Sequence, residues 1–361
     1  MRFKIHSSMS VTAGLMSAAV FLAYAPLAWA VERITLDSTH QLFLDDYLIA
    51  SINGAKRTVM QAEKFDGNPV LWPTESWEPT MATVYGSVIR DGAGFKMWYK
   101  SGMAVGYAES ADGIHFTRRE QPVLSPEAPY ENDGGVEDPR IAKIGATYYL
   151  TYTGYNKKDA QLCLATSSDL IDWKRLGVIL PAYQGNWNKG WTKSGAILTA
   201  KIGDEYWMYW LGMAADKTDQ MGLSRSKDLV HWTEVTQKPV LPRRPGKFDS
   251  RVVEPGPPPI LTPAGIVLIY NGADDKLVYR TGAAVFDRND PSKLLYRSEE
   301  PVFAPALNWE KVGQVPNVVF VEGMVGQNGR WLLYYGAADK YVGAVETQNL
   351  LPHGLPFKLD R

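Results

Sequence analysis

The chain has 361 residues, a formal net charge of −1 and no long run of one sign, which excludes the phosphate-neutralising surface a nucleic-acid partner requires. Its single cysteine, Cys163, excludes an internal disulfide, so stability has to come from a buried core that a chain this long can build. The 12 Trp and 19 Tyr favour strands and, where exposed, suit the stacking of flat rings on the apolar faces of sugars.

Arg2 and Lys4 open the chain, Val11 to Leu27 is mostly apolar, and Ala28-Trp29-Ala30 has the small-x-small form of a cleavage site. The run is short for a membrane span and is broken by Ser17 and Pro26. Residues 1–30 are therefore expected to be a signal peptide. The mature chain would begin near Val31, lie in the periplasm or be secreted, and keep no membrane attachment.

The next element, Gln41-Leu-Phe-Leu-Asp-Asp-Tyr-Leu-Ile49, reads as a strand. It is expected to join the end of the chain, because closing a ring of strands removes open sheet edges.

From there one unit recurs. Phe95-Lys-Met-Trp-Tyr99, Tyr148-Tyr-Leu-Thr-Tyr152, Tyr206-Trp-Met-Tyr-Trp210, Ile266-Val-Leu-Ile-Tyr270 and Trp331-Leu-Leu-Tyr-Tyr335 are aromatic-rich strands. Each leads through a Gly or Asp turn to a strand of small residues, at a spacing of about 53 to 65 residues. That is the size of a four-stranded blade with its loops. No stretch sustains a 3.6-residue period, so helices should be few. The fold class is all-β: a single five-bladed β-propeller over residues 31–361. Cys163, inside the apolar run Gln161-Leu-Cys-Leu-Ala165, reads as a buried strand residue rather than a nucleophile.

Ser110-Ala-Asp112, Ser167-Ser-Asp169 and Ser226-Lys-Asp228 each precede a Phe or Trp four residues after the Asp. Recurrence marks these acids as turn caps, not chemistry. Catalytic residues should instead interrupt the repeat. Two segments do so. Glu131-Asn-Asp-Gly-Gly-Val-Glu-Asp-Pro-Arg140 concentrates charge before the second blade's aromatic strand, with Pro139 stiffening the backbone and Arg140 able to hold a carboxylate. Val253-Glu-Pro-Gly-Pro-Pro-Pro-Ile260 sets Glu254 in a rigid apolar segment. Lys193, Asp274, Glu322 and Asp339 also fall beside blade strands, where side chains can converge on the axis and meet a sugar, and Tyr85 is taken with them.

No phosphate-binding Gly-Lys loop, Gly-x-Ser-x-Gly elbow or His-Glu-x-x-His occurs, the five His show no metal-ligand spacing, and no cofactor is expected. Two separated carboxylates point to glycosyl transfer, one protonating the leaving oxygen and one activating the attacker.

At these residues the chain resembles glycoside hydrolase family 130, mannoside phosphorylases and mannosidases built on a five-bladed propeller. The likeness rests on Gly135-Val-Glu-Asp-Pro-Arg-Ile141, Gly256-Pro-Pro-Pro-Ile260, Tyr270-Asn-Gly272, Asp290-Pro-Ser-Lys293, Val315-Pro-Asn-Val-Val-Phe320 and Tyr334-Tyr-Gly-Ala-Ala-Asp339. They occur in family order across most of the mature chain. The resemblance implies that Asp138 is the general acid of an inverting reaction at a β-mannosidic bond, acting directly or through a substrate hydroxyl. It also implies sugar contacts at Asp339, Lys193 and Arg140.

Family phosphorylases commonly carry His-Arg-Pro where this chain reads Tyr209-Trp-Leu-Gly212, and Trp210 and Leu211 offer a phosphate no donor. They also tend to be cytoplasmic, whereas this chain is expected to be exported. Both points favour water, with Glu254 as base: an inverting hydrolase of β-mannosides. The alternatives are a phosphorylase releasing mannose 1-phosphate, a furanosidase using an acid such as Asp46, and a non-catalytic glycan-binding propeller.

Overall fold

The structure, a computed structural model, describes residues 62–183 and 185–347. All of them fall in the compact unit Leu44–Arg361. The expected leader and the expected strand Gln41–Ile49 lie outside the described residues.

A short strand β1 (Glu63–Lys64) precedes five antiparallel blades. Blade one holds β2 (Val88–Asp91), β3 (Gly94–Ser101), β4 (Ala104–Ser110) and β5 (Thr117–Arg118). Blade two holds β6 (Gly135–Ile144), β7 (Thr147–Tyr155), β8 (Ala160–Ser167) and β9 (Lys174–Leu180). Blade three holds β10 (Asn188–Ile202), β11 (Glu205–Ala214), β12 (Asp219–Ser226) and β13 (Thr233–Glu234). In blade four the inner strand is split into β14 (Val252–Pro255) and β15 (Ile260–Thr262), followed by β16 (Gly265–Ala273), β17 (Tyr279–Phe286) and β18 (Leu294–Arg297). After the four-residue helix α1 (Asn308–Lys311), blade five holds β19 (Val319–Gln327), β20 (Arg330–Ala337) and β21 (Tyr341–Thr347).

The ring closes where β1 pairs with β21, Glu63 opposite Glu346 and Lys64 opposite Val345. Among the described residues closure comes from Glu63–Lys64; the closing role expected of Gln41–Ile49 falls outside them. Blades three and four touch edge to edge through one parallel pairing, Asp219 with Val252.

Each pair of neighbouring blades shares a core, because the aromatic second strands are buried on both faces. Trp98 and Tyr107 of blade one meet Ile141 and Leu150 of blade two, and Leu162 meets Met208 and Trp210. Tyr209 meets Leu268, Ile269 meets Leu333, and Tyr334 meets Phe95. Cys163 is fully buried in this core, and burial pushes its thiol up to about 12.

The recurring acids are turn caps. Asp112 Oδ1 accepts the backbone N–H of Ile114 and of His115, both at 2.9 Å, and Asp169 and Asp228 repeat the arrangement.

A second repeat holds the blades. Glu78 accepts from the Tyr99 hydroxyl at 2.6 Å and from the N–H of Thr74 and Glu75, with Arg118 beside it at 3.4 Å. Glu131 does the same with Tyr152, Glu127, Ala128 and Arg175. Glu310 does so with Tyr335, Ala306, Leu307 and Lys64 of the closing strand. In blade four Asp249 takes Tyr270, Arg244 and Arg297. Every acid follows an aromatic: Trp77-Glu78, Tyr130-Glu131, Phe248-Asp249, Trp309-Glu310. Blade three departs from it. It has Trp187-Asn188 and, in place of the strand tyrosine, Trp210 stacked on Trp187 at 5.4 Å.

Candidate active site

The residues that interrupt the sequence repeat sit on backbone irregularities of the innermost strands. On β6, Asp138 and Pro139 together oppose Tyr152, between the pairs Glu137–Thr153 and Arg140–Thr151. On β10, Ser194 and Gly195 oppose Trp210, and on β19 Glu322 is the extra residue between Val321 and Gly323. Blade four breaks its inner strand after Pro255, one residue beyond Glu254, and blade one is irregular around Tyr85, between the Thr83–Lys100 bridge and Val88–Met97. A bulge turns a side chain out of the strand's alternation. Asp138 and Ser194 accordingly take left-handed backbones, with φ of 51° and 56°.

The bulges bring four charges into a row. Lys100 Nζ lies 3.3 Å from Glu137 Oε1, Lys193 Nζ lies 3.2 Å from Glu137 Oε2, and Lys193 Nζ lies 3.5 Å from Asp138 Oδ2. The Thr153 hydroxyl donates to Asp138 Oδ2 at 2.7 Å. Ser194 joins the two sides: its N–H donates to Thr153 Oγ1 at 3.4 Å and its hydroxyl donates to Glu254 Oε1. Asp138 and Glu254 are therefore linked through two intervening residues.

Their environments separate them. Burial pushes the Asp138 carboxyl up, but Lys193, Arg140, the Thr153 hydroxyl and Lys100 outweigh it and hold it below the ordinary aspartate range. Burial and then the charge of Asp138 push Glu254 up to about 7. Burial also works against the charge of Lys193, yet Asp138, Glu137 and Glu254 keep its ammonium well above the ordinary range. In the free cleft, then, when the pair carries a single proton, it lies on Glu254 and Asp138 is the anion. Two carboxyls with ionisation pushed apart in this way can divide acid and base roles.

Asp339 faces the Tyr85 hydroxyl, and burial raises it to about 6. Tyr85 and Tyr279 flank Phe320, each 5.9 Å from it, and form an aromatic wall. The Trp191 indole donates to Asp219 at 2.8 Å, and burial raises that carboxyl to about 6. Among the described residues no group of three or more His, Cys, Asp or Glu is placed to hold a metal ion.

Three expectations change. Arg140 and Glu322 have fully buried side chains and lie beneath the cleft rather than on its surface. Arg140 Nη2 donates to Glu322 Oε1 at 2.6 Å and to the Pro255 carbonyl at 2.7 Å, Nε donates to the Gly256 carbonyl at 2.9 Å, and Nη1 donates to the Asp138 carbonyl at 3.1 Å. One guanidinium thus ties the backbone of both candidate carboxylates together. The segment that follows β14 passes close to β19: a Cβ on Gly256 would stand 2.7 Å from the Val321 carbonyl. Asp274 caps its own hairpin, accepting from the N–H of Lys276 and Val278 and from Arg280 at 2.8 Å, and does not join the cluster. Trp210 packs in the core between blades two and three, so its identity says nothing about the acceptor; Leu211 packs on Val252 and Ala273.

Glu137, Lys100, Ser194, Thr153, Asp219 and Tyr279 were not singled out from sequence. Glu137 was legible as the neighbour of Asp138; Ser194 reaches the cleft from the β10 bulge, and the others occupy ordinary strand positions that only register brings to the cleft.

With this geometry in view, the chain can be set beside known proteins. Residues 61–351 match the family model described as beta-1,4-mannooligosaccharide phosphorylase. The chain belongs to glycoside hydrolase family 130. This family member is 36% identical over 301 residues to a 1,2-beta-oligomannan phosphorylase of Thermoanaerobacter sp. (strain X514), covering 79% of this chain and 96% of the relative. It is 34% identical to a beta-1,2-mannobiose phosphorylase of the same organism, covering 78% of this chain and 95% of the relative. One solved structure comes from work stating that the family of mannoside phosphorylases contains glycoside hydrolases that target beta-1,2 mannosidic linkages in Candida mannan. It is 34% identical, with a TM-score of 0.71, covering 82% of this chain and 98% of that one. The chain is thus an enzyme family member whose relatives act on mannosides. The curated relatives speak for phosphorolysis more directly than for the hydrolysis expected from sequence.

Proposed function

We propose that this enzyme cleaves β-1,2-mannosidic bonds of manno-oligosaccharides with inversion, Asp138 delivering the proton to the leaving oxygen and Glu254 serving the attacking group. The observation that carries the reading is the Asp138–Glu254 pair, buried and oppositely perturbed, on either side of the Thr153–Ser194 link. The names of the relatives support the linkage. Tyr85, Phe320 and Tyr279 supply rings for the sugar, and Asp339 and Lys193 supply polar contacts.

For the acceptor, the charge of the cleft supports water. Glu137, Asp138, Asp219, Glu254 and Asp339 surround it; of the nearby cations Lys100 and Lys193 already lie against Glu137, and Arg251 stands on the Asp219 side, where a phosphate would have to meet it. A phosphate dianion needs charge-assisted donors that are not already committed. The export leader expected from sequence points the same way. Phosphorolysis is the second reading, and the phosphorylase relatives support it better than they support hydrolysis. Nothing in the family match supports a furanoside substrate, and Asp46 lies outside the described residues.

The test is a panel of manno-oligosaccharides of different linkage, with and without phosphate, followed by NMR. Inverting hydrolysis of a β-bond releases α-mannose without phosphate. Mannose 1-phosphate formed only when phosphate is added would establish phosphorolysis instead. Binding with no product in either case would sink both.

A further inference from the structure

The acid role proposed for Asp138 meets an obstacle in the free cleft, and the same cleft contains a way past it. An acid must hold a proton, yet Asp138 stands against Lys193 and is the anion of the pair. Lys193 has a second carboxylate within reach, Glu137, whose Oε2 lies 0.3 Å nearer (3.2 Å against 3.5 Å). Glu137 is itself held from behind: Lys100, a lysine with only 6% of its side chain exposed, meets Oε1 and donates to the Val136 carbonyl at 3.3 Å. Glu137 is thus anchored on its far side, whereas Lys193, with 25% of its side chain exposed, is held among the described residues only by the two carboxylates.

We propose that Glu137 is a positioning residue: when a sugar enters the cleft, Glu137 draws Lys193 off Asp138, the remaining N–H groups of the ammonium serving the sugar, and Asp138 becomes free to hold the proton it donates. The inference rests on the reading of Asp138 as the acid.

The proton balance closes within the pair. In the free cleft Glu254 holds the one shared proton and Asp138 is the anion. Withdrawal of Lys193 removes the main attraction favouring the Asp138 anion, and the proton passes from Glu254 to Asp138. That leaves a neutral acid at the leaving oxygen and an anionic base at Glu254, with no proton taken up or released. The other groups facing Asp138 are Arg140, which is locked beneath it by four hydrogen bonds, Lys100, and the carboxyls Glu254, Glu322 and Asp339. Tyr85 also faces the Glu137–Asp138 side and has no anion to lose, because burial raises its phenol well above the ordinary range. Of these cations, Lys193 is the one with a partly exposed side chain and a second carboxylate in reach.

The experiment compares Glu137→Gln, Glu137→Asp and Asp138→Asn in the full chain on two substrates. One is the natural manno-oligosaccharide. The other is a dinitrophenyl β-mannoside, whose leaving group departs without protonation. General acid help is worth about 100- to 10,000-fold. Glu137→Gln is expected to lose at least about tenfold in kcat on the oligosaccharide and to stay within about threefold of wild type on the activated mannoside. Glu137→Asp, which keeps the charge, should restore most of the loss. A further readout separates position from mere structure: the alkaline limb of kcat should lie above that of kcat/KM in wild type, and the two should coincide in Glu137→Gln.

Equal loss on both substrates, or unchanged kcat on the oligosaccharide, overturns the inference. If Glu137→Gln does not fold, Glu137→Asp together with the two wild-type limbs still decides, because coincident limbs in wild type also overturn it. Asp138→Asn keeps the two failures apart. If activated mannoside does not rescue Asp138→Asn, the acid assignment itself falls. If it rescues Asp138→Asn but not Glu137→Gln, only the role of Glu137 falls.

Discussion

Lys193 Nζ lies 3.5 Å from Asp138 Oδ2, and this contact keeps the charge of the Asp138–Glu254 pair on the aspartate in the free cleft. The pair loses its first proton below the ordinary carboxylate range and its second at about 7.

The productive pair carries one proton, and pH responds to that total, whichever carboxyl holds the proton more often. Above about 7 the second proton is lost, so kcat/KM on oligosaccharide should fall about tenfold per pH unit there. In Asp138→Asn, assayed on an activated mannoside, only the base is needed, so the sign reverses. The profile should rise with pH. Its midpoint should lie below about 7, because the Asp138 charge, second only to burial in raising Glu254, is gone. A profile of kcat/KM that climbs through 7 in wild type would contradict the assignment of the acid.

Arg140 is buried against Glu322 and serves three carbonyls. Arg140→Met takes the donor from that buried carboxyl and from those carbonyl oxygens, and leaving a buried acceptor unsatisfied costs about 1–3 kcal/mol. Urea unfolding should show a loss of that size. Glu322→Gln keeps an oxygen for Arg140 and removes a group that burial already holds well above the ordinary carboxyl range, so it should cost far less.

Tyr152 is buried, and its hydroxyl donates to Glu131 at 2.7 Å on the face of β7 opposite the neighbouring Thr153, away from Asp138. Tyr152→Phe should destabilise by about 1.5–3 kcal/mol in denaturant melts and leave kcat within experimental error of wild type. A fall in kcat without loss of stability would mean that the blade hubs reach the active site.

Cys163 combines full burial with a thiol pushed up to about 12. Native protein at pH 8 should resist alkylation by iodoacetamide, as followed by intact mass, and should label only once denatured. Labelling under native conditions would place Cys163 at the surface.

Much of this was legible in the order of residues. Strands carry their hydrophobic code locally, so the recurrence of aromatic strand, turn and small-residue strand revealed five blades. The recurring Asp112, Asp169 and Asp228 were readable as caps because an Asx turn needs only its own neighbours. The hub acids Glu78, Glu131, Asp249 and Glu310 were written just as plainly, each after an aromatic, but with a less regular spacing to the strand that follows.

The cleft is another matter. The sequence by itself determined that Asp138 and Glu254 interrupt the repeat, and that they do so beside prolines that stiffen the chain. Only the tertiary structure decided what each polar residue faces. Side chains alternate along a strand, so a bulge of one residue at Asp138, Ser194 or Glu322 reverses which way the next group points. Arg140 and Lys193 look alike in sequence, each a cation beside an inner-strand break. The closed ring buries one under the cleft and leaves the other at its surface, because facing the axis or facing the mouth depends on the other four blades.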